Sequence, residues 1–165
     1  MTNTSSWKAE LNQRIGITHE DAQRMVGELN VLLAGYQLYY QNLRALHWNI
    51  RGKHFFELHV KFEELYTDAA MRIDELAERI LSLGGTPLHT FEDYLNHTDI
   101  RAVKNVKDAE TAVRTILQNI GALLAPARTA LYTSEEIRDE GTNSLVSDLI
   151  AILEKNNWMF SAWLG

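Results

Sequence analysis

Residues 86–107 read "TPLHTFEDYLNHTDIRAVKNVK" and fall between two strongly periodic apolar stretches on either side. A connection of about 22 residues is long for a compact helical domain, where neighbouring helices are usually joined by a few residues. Upstream, Met25, Leu29, Leu32, Tyr36, Tyr39, Leu43 and Leu46 recur alternately four and three residues apart. Phe55, Leu58, Phe62, Leu65, Ala69, Leu76, Ile80 and Leu83 form a second such set. Each set is one apolar face of a long amphipathic helix. Thr18, with Asp21 three residues on, caps the first helix, because a hydroxyl can accept an orphan N–H there. Gly84-Gly85 and then Pro87 end the second,.

Downstream, a third helix is predicted from about Asp108 to Tyr132 on the stripe Val113, Ile116, Ile120, Leu123 and Leu131, with a kink at Pro126 where a backbone donor is lost,. A fourth opens near Thr142 and carries Leu145, Leu149 and Ile152 towards Met159 and Trp163. A long link in the middle of four helices lets helices two and three run parallel. That connectivity makes an all-α, ferritin-like four-helix bundle. The apolar "FEDYL" inside the link predicts a short extra helix in the crossover.

Composition agrees with one globular unit. At 165 residues, 45% hydrophobic and 23% charged, the chain has the size and balance of a single domain over 1–165, with residues 1–17 as a short N-terminal arm,. The absence of cysteine excludes disulfides and thiolate metal sites,. A formal charge of −6 argues against a surface that binds phosphate generally,. The start, "MTNTSSWKAELNQRIGI", has no apolar core of signal-peptide type,, and no apolar run approaches the roughly 20 residues of a membrane span. A cytoplasmic chain with no membrane partner is expected.

The polar residues pose a geometric problem. His59, Glu63, Asp74 and Glu78 fall within about 100° of one another on the second helix,. Yet His59 and Asp74 are roughly 22 Å apart along the axis, and metal–ligand bonds are only about 2 Å long. One chain therefore offers two half-sites, which unite if two copies of this helix pack antiparallel about a two-fold axis. The in-bundle di-iron site built on Glu-x-x-His motifs is excluded, since no glutamate here is followed by histidine three residues later. The same pattern also fits a solvated or salt-bridged face, and His47 beside Trp48 also fits packing; spacing alone does not choose.

The stretch "HWNIRGKHFFELHVKFEELY" followed by "IDELAERILSLGG", with the mid-chain crossover and the ending "EKNNWMFSAWLG", resembles the Dps mini-ferritins over essentially the whole chain. That resemblance implies a hollow twelve-subunit shell that oxidises Fe(II), preferably with hydrogen peroxide, and stores ferric iron inside. It implies ligands His47, His59 and Glu63 from one subunit and Asp74 and Glu78 from its two-fold mate, with Glu63 standing where the family commonly has aspartate. It also gives Trp48 a role near the site, as electron donor and radical trap or as a packing residue. Imidazole and carboxylate ligands suit Fe(II) but also Zn(II), Co(II) or Mn(II). Glu64 is a candidate for nucleating mineral, and Glu135, Glu140 and Asp148 for iron-entry pores, although an acid common in the family is replaced by Ser144. His19, His54, His89 and His97 match no ligand position and read as surface or capping residues.

A DNA-compacting protein is the alternative that the family name suggests, and DNA binding is doubtful here. Family members that bind DNA often use lysine-rich tails, whereas residues 1–17 offer only Lys8 and Arg14, with Glu10 between them. Phosphate binding needs several clustered cations.

Overall fold

The computed structural model describes residues 4–165, which form six helices and, among the described residues, no strand. They are α1 (Thr4–Arg14), α2 (His19–Asn49), α3 (Phe55–Ser82), α4 (Phe91–Asn96), α5 (Ala109–Glu136) and α6 (Glu140–Leu164). Of the arm expected over residues 1–17, positions 1–3 lie outside the described residues. Local chemistry sets most helix starts. Thr18 accepts the Asp21 N–H ahead of α2, Thr90 that of Asp93 ahead of α4, and Asp108 that of Thr111 ahead of α5. Each bond satisfies a donor with no partner inside its helix. The Thr111 N–H holds the Asp108 carboxyl below the usual carboxylate range. Its contribution to α5 is therefore present above the ordinary carboxylate pKa and lost as pH falls through the lowered one.

Three long-range contacts fix how the helices run. The Arg51 N–H, in the turn between α2 and α3, donates to Lys107 O just ahead of α5 at 2.9 Å, so α3 and α5 start at the same end. Arg79, near the end of α3, pairs with Asp139 in the turn between α5 and α6, so they also finish together. Trp163 at the end of α6 donates through Nε1 to Glu57 at the start of α3, 3.1 Å away, which makes α6 antiparallel to α3. This is the four-helix bundle with parallel second and third long helices, α3 and α5, and with the small helix α4 inside the crossover.

The crossover is held by two asparagines of α2. Asn30 donates to Thr86 O at 3.2 Å and accepts the Leu88 N–H at 2.9 Å. Asn42, buried in an otherwise apolar stripe, donates to Arg101 O and Asn119 Oδ1 and accepts the Val103 N–H. A third asparagine docks the arm: Asn12 of α1 is fully buried and donates to Leu83 O at 2.8 Å, and its Oδ1 faces His19 Nδ1 at 2.9 Å.

The apolar stripes of α2 and α3 are buried almost as the spacing predicts, Phe55 alone staying partly accessible. The stripe expected on α6 is rotated: the buried set is Val146, Leu149, Ile150, Leu153 and Phe160, while Leu145, Ile152, Met159 and Trp163 flank it, partly exposed. This helix is apolar over more than one face, so periodicity does not single out the packed one. Helix α5 carries Pro126 in its interior and continues to Glu136, beyond the Tyr132 end expected. Among the described residues no helix is long and apolar enough to cross a membrane.

At the end of α3, Gly84 adopts φ +74° and Gly85 donates to Ile80 O at 2.9 Å, closing the helix. A Cβ on Gly85 would lie 2.5 and 2.6 Å from the two methyl carbons of the buried Val26. Because β-branched Val26 cannot turn both methyls away, Gly85→Ala should cost about 1–3 kcal/mol through overpacking. The expected result is a melting temperature lower by roughly 2–12 °C by circular dichroism; an unchanged one would show that the turn moves aside freely.

Candidate metal centre

His47 lies in the last turn of α2 and His59 early in α3, facing each other across the tight connection. Their rings stack with centroids 3.7 Å apart and planes inclined by 21°. The bonding is reciprocal: His47 Nδ1 donates to His59 O at 2.7 Å, and His59 Nδ1 donates to His47 O at 2.9 Å. A backbone carbonyl only accepts, so each Nδ1 carries a hydrogen, which leaves Nε2 as the ring nitrogen through which either imidazole could bind a metal. Phe55 stacks on His59 at 4.9 Å and Tyr66 stands edge-on to His47 at 5.3 Å. The pair is thus fixed in tautomer and ring orientation, the support a metal-binding imidazole needs from its surroundings.

The carboxylates are placed differently. Glu63, Asp74 and Glu78 are exposed on α3, and among the described residues no group of three or more His, Asp or Glu gathers within one chain. They share their face with exposed apolar side chains: Phe56, which is 82% accessible, Val60, Met71 and Leu81. Phe56, His59, Val60, Glu63, Thr67, Ala70, Met71, Asp74, Glu78 and Leu81 all fall within a sector of about 120° at 100° per residue. A monomer rarely shows water a stripe of this kind. Burial, then the nearby charge of Glu63, push the Tyr66 phenol up, against the opposing charge of Arg44.

Trp48 is 60% exposed, and the Arg44 guanidinium sits 4.8 Å from its ring and 5.0 Å from that of Tyr40. Glu64 is exposed and paired with Lys61 at 2.8 Å. Glu135 lies inside the last turn of α5, Glu140 opens α6, and Asp148 is on α6; all three are exposed. The buried acid at this corner is Asp139, which the sequence pattern passes over. His54 precedes α3 as its capping residue but binds Glu57 rather than a backbone N–H, while His89 and His97 donate to nearby carbonyls. Tyr66 and Arg44 were also missed. Their signals are the aromatic three residues after Glu63 and the aromatic–Arg–aromatic spacing of four on α2.

The fold is that of a ferritin-like helical bundle, and residues 26–165 match the ferritin-like domain family. The chain belongs to the Dps family of mini-ferritins. It is 35% identical to DNA protection during starvation protein 2 of Bacillus anthracis, over 87% of this chain and 98% of that one. It is 37% identical to DNA protection during starvation protein of Porphyromonas gingivalis, over 90% and 93%. Among solved structures, a Dps protein from Vibrio cholerae O1, described as a member of a broad superfamily of ferritin-like diiron-carboxylate proteins, superposes with a TM-score of 0.90 at 45% identity, covering 92% of this chain and 95% of that one. A Dps protein from Bacillus brevis gives 0.85 at 36%, covering 88% and 98%.

Proposed function

We propose that this protein takes up Fe(II) as its substrate, oxidises it with hydrogen peroxide or dioxygen at a centre shared between two subunits, and stores the ferric product in a hollow cytoplasmic shell, protecting the cell from oxidative damage. The observation that carries the reading is the stripe on α3. Laid antiparallel on a second copy, about an axis midway between Asp68 and Ala69, it is self-complementary. Phe56 meets Leu81, His59 meets Glu78, and Glu63 meets Asp74, while the small Thr67 and Ala70 sit at the crossing. A two-fold interface requires this kind of matching, residue i to j and j to i.

The residues of the chain divide the work. His47 and His59 offer Nε2 lone pairs already oriented by their carbonyl partners, and Glu63 adds a carboxylate one turn on. Asp74 and Glu78 of the partner subunit complete the set with hard oxygen donors, a mixed group that suits Fe(II). Two Fe(II) held together supply both electrons that peroxide needs to become two waters, so no hydroxyl radical is released. Glu63, one methylene longer than the aspartate common in the family, reaches further from α3. Glu64 serves as a nucleation site only when its pairing with Lys61 is given up. Glu135, Glu140 and Asp148 supply negative charge around the α5–α6 corner, where an iron-entry pore is proposed.

The experiment adds Fe(II) anaerobically to metal-stripped protein, then peroxide, with mass measured by light scattering. One peroxide should be consumed for each pair of Fe(II), with little spin-trapped hydroxyl radical, by a particle of about twelve 18.9 kDa chains,. A monomer, or as much radical as free iron and peroxide give, would overturn the reading.

DNA compaction is disfavoured. The arm is docked through Asn12, Arg14 lies 3.5 Å from Glu10, and Lys8 stands over the Trp7 ring. Plasmid should therefore migrate unretarded with this protein at about 50 mM salt and chelator, where electrostatic contacts are least screened. Strong retardation there would reveal a cationic surface formed on assembly.

A further inference from the structure

Helix α6 is apolar on more than one side, and the side left out of the core faces α3 across a groove. Ile152, Met159 and Trp163 stay partly exposed beside the buried Leu149, Leu153 and Phe160. One end of the groove is a cavity of about 240 Å³ walled by Leu58, Met159, Phe160 and Trp163, with Glu57 and Lys61 as its polar members. The other end, about 310 Å³, is lined by Leu65, Asp68, Ile152, Lys155 and Asn156. Lys61 and Met159 line both, so the two ends are continuous. A concave, mostly apolar hollow with a few polar groups is the usual form of a small-molecule site. Glu57, Lys61, Glu64 and Asp68 fall about 140–200° round α3 from His59, off the stripe proposed to meet a second copy.

The charged groups along the groove differ in what they still lack. Glu57 accepts from Trp163 Nε1 at 3.1 Å and binds His54 Nδ1 at 2.7 Å. Glu64 pairs with Lys61 at 2.8 Å, and Asp68 accepts from Nε and Nη2 of Arg72 at 3.2 and 3.1 Å. Lys155 pairs with no carboxylate among the described residues. Every acid is thus answered from within the chain, and the open charge is a cation. We infer that the groove binds a free single-chain amphipathic anion, its apolar tail among Leu58, Met159, Phe160 and Trp163 and its carboxylate or sulfonate head on Lys155 beside the Asn156 amide. Lys155 and Trp163 lie roughly 12 Å apart along α6, which suits an alkyl tail of medium length. Burial of the tail supplies the affinity, and the head sets which charge is preferred.

Calorimetric titration of the intact, metal-free protein with decanoate, decanol and decyltrimethylammonium, all below their micellar concentrations, tests this. Decanoate should bind saturably and more tightly than either of the others. Lys155→Met, a change at an exposed position, should raise the Kd for decanoate roughly five- to tenfold and leave that for decanol unchanged. Met159→Gln, at the junction of the two ends, should weaken both ligands several-fold, with circular dichroism confirming that each variant folds. Vesicles of phosphatidylcholine and phosphatidylglycerol should not sediment the protein. Tighter binding of the ammonium amphiphile would mean that Glu57, Glu64 and Asp68 set the preference, and would overturn the inference. So would decanoate that binds Lys155→Met as tightly as wild type, sedimentation with the vesicles, or no decanoate binding at all, the result expected if another subunit covers the groove. None of these readings depends on iron oxidation.

Discussion

His59→Ala and Asp74→Ala should each abolish iron oxidation while leaving the monomer fold intact. Asp74 is exposed and His59 only partly buried, so neither removal opens a cavity in the core. The rate should fall by at least about 100-fold, since even groups that merely orient a ligand account for 10–100-fold. The informative result comes from mixing. If His59 and Asp74 serve the same centre from different chains, an interface pairing one variant with the other has one centre lacking both residues and one centre complete. Random assembly makes about half the interfaces mixed, and half the centres in those are intact, so about a quarter of wild-type activity should return. Assemblies shown by mass spectrometry to be mixed, yet still inactive, would place the centre within one chain and remove the argument from the α3 stripe.

That stripe shows how far a sequence can be read. The apolar faces of α2 and α3 were legible because both helices are amphipathic: one side is apolar at a spacing of three and four, and the other is not. The cap at Thr18 was legible because a short polar side chain ahead of a periodic run has one obvious use, whereas Asp108 was placed only as the start of its helix. The packed face of α6 was not, because Leu145, Ile152 and Met159 compete with Val146, Ile150 and Leu153 and only tertiary contact decides. The same division runs through the candidate centre. Spacing separated His59 from Asp74 along the helix, so that a metal centre using both would need a second copy. It could not show the reciprocal His47–His59 bonding, which depends on how two helices meet across the Asn49–Phe55 connection. Nor could it distinguish Asp139 from its acidic neighbours, since burial decides that and the local pattern "EEIRDEG" does not reveal which acid turns inward.

Asp139 carries the second large expectation. Only 2% exposed, it accepts the Thr142 N–H at 3.0 Å and the Thr142 hydroxyl, and it pairs with Arg79, whose Nε donates to Thr142 Oγ1 at 2.9 Å. One carboxylate thus caps α6, closes the α5–α6 turn and fastens that turn to α3. Next to it, Arg138 is held at φ +58°, a left-handed conformation that costs free energy unless its surroundings impose it,. Asp139→Ala removes the cap, worth about 1 kcal/mol, and strands a guanidinium whose side chain is 21% exposed. Breaking a buried pair from one side typically costs about 3–5 kcal/mol, and water reaching Arg79 should keep the loss near the lower figure. For a chain of this length that is a fall of about 6–12 °C in melting temperature, measured at fixed protein concentration so that any contribution from association is held constant. Arg79→Met in the same chain should recover part of the loss, since the stranded charge is then gone. Asp139→Asn, which keeps a cap but not the charge, should fall between. A drop of no more than a degree for Asp139→Ala would mean that water replaces the carboxylate at little cost, and that the corner holding Glu135 and Glu140 is fixed by helix packing alone.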